Sequence, residues 1–150
     1  MSSKTSAVPE GYHSVTPYLI VDDAVKLIEF LKKAFDAEEK ELIKAPDGSI
    51  GHAEIKVGDS VIMMGQAGGD WKPMPTGLYL YVADADATYK KALEAGATSV
   101  SEVADQFYGD RNGGVKDPTG TLWWIATRKE NVTPEELQRR AQAYAQSQKQ

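Results

Sequence analysis

His52 and Glu54 are the pair in this chain best placed to do chemistry. They stand two apart in the stretch 50–57, where apolar and polar residues alternate, and side chains two apart on a strand point the same way. An imidazole and a carboxylate held like that can act as a general base with its orienting acid. They can equally be a polar pair satisfied by neighbouring strands or by water. As metal ligands they are two donors where a defined site needs more; a third would have to come from a tyrosine, from Asp110 or from a second chain. His13 is the only other histidine, and cysteine is absent. A three-histidine metal site within one chain, a thiolate metal site, a disulfide and a cysteine nucleophile are therefore excluded. No GxSxG nucleophile elbow and no GxxxxGK[ST] phosphate loop occurs.

Three other sets of residues offer contacts to a ligand. Tyr18, Tyr79 and Tyr81 can stack on or hydrogen-bond a planar molecule, or serve as β-favouring residues at an interface. Trp71 lies in the Gly- and Pro-rich stretch 65–75, a linker first, and could fold over a cavity as a lid. Arg111 could hold an anion or make a surface salt bridge.

The chain carries 17 Lys and Arg against 22 Asp and Glu, a net charge of -5. That leaves no basic footprint for nucleic acid. The polar first residues lack the apolar stretch of a signal peptide, and no run is long and apolar enough to span a membrane. The expected location is the cytoplasm. The composition, 41% hydrophobic over 150 residues, is that of one globular domain with a sizeable core.

The elements that must position these residues are written twice. PYLIVDDA at 17–24 and LYLYVADA at 78–85 share five identities at an offset of 61, and the turn-and-strand stretches 57–64 and 118–125 align at the same offset. Each half opens with a strand that runs into an acidic helix start, Asp22 or Asp23 in the first and Asp84 in the second. Helix-spaced apolar residues follow at Ala24, Leu27, Ile28, Leu31, Ala34 and Phe35, and again at Ala85, Tyr89, Ala92 and Leu93. Asp36 and Gly96 are the stops. Three extended runs come next: about 40–45, 50–57 and 60–65, then about 98–104, 112–117 and 121–127. The expected fold is α+β, two tandem β-α-β-β-β modules (12–66 and 74–129, linker 67–73). Their curved mixed sheets would form a shared cavity by pairing within one chain or between two. Residues 1–11 read as an arm. Residues 130–150 read as a tail with a capping box at 133–136 and a helix to about Tyr144.

Strand parity selects the cavity wall. Leu19 and Val21 belong under the helix, which leaves Thr16, Tyr18 and Ile20 on the other face. A two-residue loop at Gly58-Asp59 pairs Glu54 with Met63 and His52 with Gly65. By the offset, Val115 and Trp124 are the second-half counterparts of Glu54 and Met63. The expected wall is Thr16, Tyr18, His52, Glu54, Met63, Tyr79, Tyr81, Val115 and Trp124, largely apolar and aromatic as small-molecule pockets are. Trp123, on the opposite face from Trp124, belongs to the core.

The duplicated pattern resembles the vicinal oxygen chelate superfamily, which includes glyoxalase I, extradiol dioxygenases and the fosfomycin- and bleomycin-resistance proteins. The residues that carry the likeness are TPYLIV at 16–21, IEFLKKAF at 28–35, GHAEI at 51–55, YGDR at 108–111 and DPTGTLW at 117–123. The last three look like a PhnB-like branch. The resemblance implies a glyoxalase-like fold over about 12–129, with metal-ligand positions in the metal-dependent members falling here on Thr16, Met63, Gly77 and Trp124. None of these is a carboxylate or an imidazole. The expectation is therefore a metal-free, cofactor-free binding protein, a homodimer that sequesters an apolar or aromatic ligand as in bleomycin-resistance relatives. One alternative is a lyase- or isomerase-type enzyme using His52 and Glu54 for proton transfer, with or without a recruited metal. Another is an assembly protein whose cavity is filled by its own side chains.

Overall fold

The computed structural model describes residues 5–149; the first four residues of the expected arm and the last residue of the tail lie outside it. The chain builds β1 (Tyr18–Val21), α1 (Ala24–Phe35), β2 (Glu38–Lys44), β3 (Ile50–Val57) and β4 (Ser60–Gln66). It then builds β5 (Gly77–Tyr81), α2 (Ala85–Glu94), β6 (Thr98–Asp105), β7 (Asp110–Lys116), β8 (Leu122–Arg128) and α3 (Pro134–Ser147). The strands form two four-stranded sheets of order β1-β4-β3-β2 and β5-β8-β7-β6. In each, the first strand runs parallel to the last and the others are antiparallel. Tyr18 lies beside Met63 and Tyr79 beside Trp124, so the 61-residue offset holds across these strands. Among the described residues no helix is long and apolar enough to cross a membrane.

Local chemistry fixes the helix ends. Asp23 Oδ1 accepts from the Lys26 amide at 3.0 Å and Asp84 Oδ1 from the Ala87 amide at 3.1 Å, each satisfying an orphan donor of a first turn. Asp36 ends α1 in the left-handed region (φ 53°, ψ 38°), which aspartate tolerates better than most residues. Gly96, at φ 110°, follows α2, where a side chain would be strained. Thr133 caps α3, and that helix is docked on the second module: Arg140 donates to the Phe107 carbonyl, and the Tyr144 and Phe107 rings stack 5.2 Å apart.

Helices α1 and α2 and the helix-facing sides of both sheets share one core. Leu19, Leu27, Leu31, Ile55 and Met64 of the first module and Val115, Trp123 and Ile125 of the second are almost fully buried in it. Phe35, at the end of α1, packs its ring 4.9 Å from that of Trp123. With both helix-facing sides turned into this common core, the other faces of the two sheets point outward. Tyr18, Tyr79 and Tyr81 are accordingly about half exposed. Of the two pairings open from the sequence, the one within a single chain is not the one built.

Candidate functional site

On the outward face of the first module, a bulge sets the position of the His52–Glu54 pair. Lys44 pairs with Ile50 and Ile43 with His52, which leaves Gly51 without a partner. The extra residue turns Ile50 into the core while His52 and Glu54 stay outward. Glu54 pairs with Met63 across β3 and β4, and Val57 with Ser60. His52 Nε2 lies 2.8 Å from Glu54 Oε2, and the Tyr12 hydroxyl donates to Glu54 Oε1. Those two hydrogen bonds, from Tyr12 and then His52, hold the Glu54 carboxyl below the usual carboxylate range, and burial opposes them. The bond to Glu54 raises the Tyr12 phenol to about 12. The His52 ring lies 5.8 Å from that of Tyr18.

Beside Tyr18 a cleft of about 470 Å³ opens, lined by Tyr18, Ile20, Gly65, Gln66, Trp71 and Met74 with Gly51 at its edge. Its floor exists because Gly65 has no side chain. A Cβ there would sit 2.9 Å from the Tyr18 hydroxyl. The linker forms the far wall, held where the Met74 amide donates to the Ile20 carbonyl at 3.1 Å, and Trp71 stands largely exposed at the rim. Of the expected wall, Tyr18 lines this cleft, His52 and Glu54 adjoin it, and Met63 on β4 lies between Tyr18 and Glu54, while Trp71, expected as a lid, lines its rim. Thr16 stands apart near the start of β1, its hydroxyl donating to the His13 carbonyl at 3.3 Å.

The second module's outward face is a closed polar network. Asp110 is buried, and it accepts from the Tyr79 and Tyr81 hydroxyls at 2.7 and 2.9 Å and from Arg128 Nε at 2.6 Å. Burial pushes the Asp110 carboxyl up, but these three donors outweigh it and leave it below the usual range. Asn112 Nδ2 donates to the hydroxyls of Tyr79 and Tyr108. The tyrosines that were expected to meet a ligand are thus hydrogen-bonded to their own sheet.

The placement of Val115 is corrected, and Arg111 makes the salt bridge that was its alternative. Val115 is buried in the core, paired with Trp123 rather than Trp124. Two residues join β3 to β4, but the turn from Lys116 to Leu122 takes five, organised by Asp117. Its Oδ1 accepts from the Thr119 and Thr121 amides and its Oδ2 from Trp123 Nε1. The longer turn makes the offset across β7 one residue shorter than across β8, and a one-residue change of register exchanges the faces. Gly114 holds the place opposite Trp124, whose ring covers it; a Cβ on Gly114 would meet that ring at 2.7 Å. Arg111 points toward α2, where it forks onto Asp86 at 2.8 and 3.0 Å and reaches Asp105 at 3.1 Å. Those carboxylates raise its pKa and occupy the guanidinium that an anion would need.

The family's metal positions do not suit a divalent ion here. Thr16 offers a hydroxyl, Met63 a thioether, Gly77 no side chain, and Trp124 an indole N–H that only donates. Sequence reasoning missed Tyr12, Gly65, Gln66, Met74 and Asn112. Tyr12 lies outside every periodic element, and Gly65 and Met74 matter for the space they leave or close. The repeat, corrected by one residue, would have found Asn112 as the counterpart of His52.

Comparisons with known proteins agree with this architecture. Residues 11–125 match the model of the Glyoxalase/Bleomycin resistance protein/Dioxygenase superfamily. Uncharacterized proteins of Mycobacterium bovis and Mycobacterium tuberculosis are 38% identical over 136 residues, covering 83% of this chain and 90% and 80% of theirs. Among solved structures, TioX from Micromonospora sp. ML1 superposes with a TM-score of 0.68 at 22% identity, covering 77% of this chain and 98% of its own. A PhnB protein from Bacillus cereus gives 0.63 at 16% identity, covering 77% and 99%. With its family model matched over both modules, the chain belongs to the glyoxalase/bleomycin resistance protein/dioxygenase superfamily.

Proposed function

We propose that this protein is a metal-free, cofactor-free small-molecule-binding member of its superfamily, of the PhnB-like branch. It acts in the cytoplasm as a homodimer and takes up an apolar or aromatic ligand. Residues 12–129 form the binding unit, and the arm and tail are additions to it. The observation that carries this reading is the cleft of about 470 Å³ beside Tyr18. It falls within the roughly 300–1,000 Å³ typical of small-molecule sites, and its walls are mainly aromatic and aliphatic with Gln66 as a polar group. The homodimer follows from the outward aromatic faces of both modules. The first module's face of one copy, set against the second module's face of another, would cover the half-exposed tyrosines and enclose the cleft.

A second reading is supported by the 2.8 Å contact between His52 and Glu54. In a lyase or isomerase, His52 would take a proton from a substrate lying against Tyr18 while Glu54 steadied the imidazolium.

A thermal-shift panel of planar aromatic compounds, read together with tryptophan fluorescence, tests binding. We expect compounds that raise the melting temperature, with a Trp71→Ala variant losing about tenfold in affinity, a large share of one aromatic contact. A panel without any stabiliser, or an affinity indifferent to both Trp71→Ala and Tyr18→Ala, overturns the reading. Stoichiometric metal in untagged protein, lost in His52→Ala, would instead favour the enzyme.

A further inference from the structure

Tyr12 occupies the first module's outward face in a way that resembles a bound ligand. Its hydroxyl donates to Glu54 Oε1, and Lys40 Nζ stands 5.4 Å from its ring centroid, within cation–π range. The side chain is delivered by the segment 5–14, which belongs to no helix or strand. Among the described residues, this hydroxyl makes the only hydrogen bond from that segment to anything beyond Thr16; the Tyr12 amide donates to the Pro9 carbonyl, and the His13 carbonyl accepts from the nearby Thr16 hydroxyl.

We infer that Glu54, His52 and Lys40 form a subsite for a phenolic hydroxyl, and that Tyr12 is its built-in occupant, displaced when a phenol-bearing ligand enters the adjoining cleft. The inference rests on the binding function proposed above and names the ligand class.

The second module provides the contrast. There the phenols that satisfy the buried carboxylate Asp110 are Tyr79 and Tyr81, carried on β5 itself and locked by sheet pairing. In the first module the carboxylate is nearly as buried, at 8% exposure, yet no strand supplies it with a phenol. Its phenol comes from a segment that can be exchanged without breaking a sheet. His52 links subsite and cleft, touching Glu54 at 2.8 Å and lying 5.8 Å from the Tyr18 ring. A ligand can therefore rest its apolar body by Tyr18 and Ile20 and aim its hydroxyl at Glu54. Glu41 pairs with Glu54 across β2 and β3, so the patch sets two carboxylates against the one ammonium of Lys40. That balance favours a neutral hydroxyl donor over an anion.

The probe is p-cresol, which reproduces the tyrosine side chain, with toluene as the control lacking the hydroxyl. Binding is followed by NMR shift changes in the full chain. Because Tyr12 competes from within the same molecule, apparent affinity falls by the fraction of molecules with the subsite free. Removing Tyr12 should then tighten p-cresol binding by about tenfold, the scale of a hydrogen bond to a charged group. The gain should appear in Tyr12→Ala, persist in part in Tyr12→Phe, vanish when Glu54→Ala is added, and be absent for toluene. Equal affinity of p-cresol for the wild type and both Tyr12 variants overturns the inference. So does an equal gain for toluene, or insensitivity to Glu54→Ala. Should Tyr12→Ala fail to fold, Tyr12→Phe carries the test alone. If aromatic compounds perturb Trp71 fluorescence while p-cresol ignores Tyr12 and Glu54, this inference fails and the cleft's binding role stands. If no aromatic compound binds at all, both fail.

Discussion

Asp110 shows how a single carboxylate can organise one face of a sheet. Three donors converge on it, two of them phenols that the sequence offers equally well to a ligand. Its native pKa lies below the unfolded value of about 3.9, so its contribution to stability is complete above that value and is lost as pH falls through the native one. We expect the melting temperature of the wild type to drop on acidification below about pH 4, with Asp110→Asn less stable at neutral pH and flatter through that range. Melting curves recorded from neutral to acidic pH check this; a parallel acid slope in the variant would remove Asp110 from the account. Alternation along the strands was enough to turn Tyr79 and Tyr81 outward. It could not show that Asp110 would engage them, because that contact joins β5 to β7 across the intervening β8, and neither strand is the other's neighbour in sequence or in the sheet.

At the scale of elements, hairpin length decides which side chains are seen. Gly58-Asp59 is short enough to fix its register from sequence, and Glu54 does pair with Met63. The turn between β7 and β8 is wound around a buried Asp117, and its length sets the register that moves Val115 into the core and places Gly114 opposite Trp124. Gly113 lies against the helix side: a Cβ there would meet Val103 Cγ2 at 2.8 Å, Tyr89 Cδ2 at 2.9 Å and the Val103 amide nitrogen at 3.1 Å. Because backbone is among the neighbours, the strain cannot all be relieved by a rotamer change. Gly113→Ala should cost about 1–3 kcal/mol, the usual range for overpacking a filled core, measured by urea unfolding. A neutral effect would mean that β6 can retreat.

At the scale of the molecule, the central fact is the shared core. Phe35 of one module against Trp123 of the other ties the two together through their helix sides and leaves two aromatic faces outward. Tyr18, Trp71 and Met74 by the first module and Tyr81 on the second are each at least half exposed, large side chains that a second copy of the chain could cover. Sedimentation equilibrium should give twice the chain mass of 16.4 kDa. A species that stays at the single-chain mass as concentration rises would leave these faces uncovered and defeat the dimer.

By itself the sequence determined the elements, their duplication and, in the first module, the register of the hairpin that carries His52 and Glu54. These are local matters: caps, turn chemistry and the periods of 3.6 and 2 are set by residues near one another in the chain. Only the tertiary structure decided which sheet faces share the core, that the second module's tyrosines are held by Asp110, and that Tyr12 lies on Glu54. An apolar stripe records that a face is buried without recording against what, and a segment without periodicity carries no record of where it folds back.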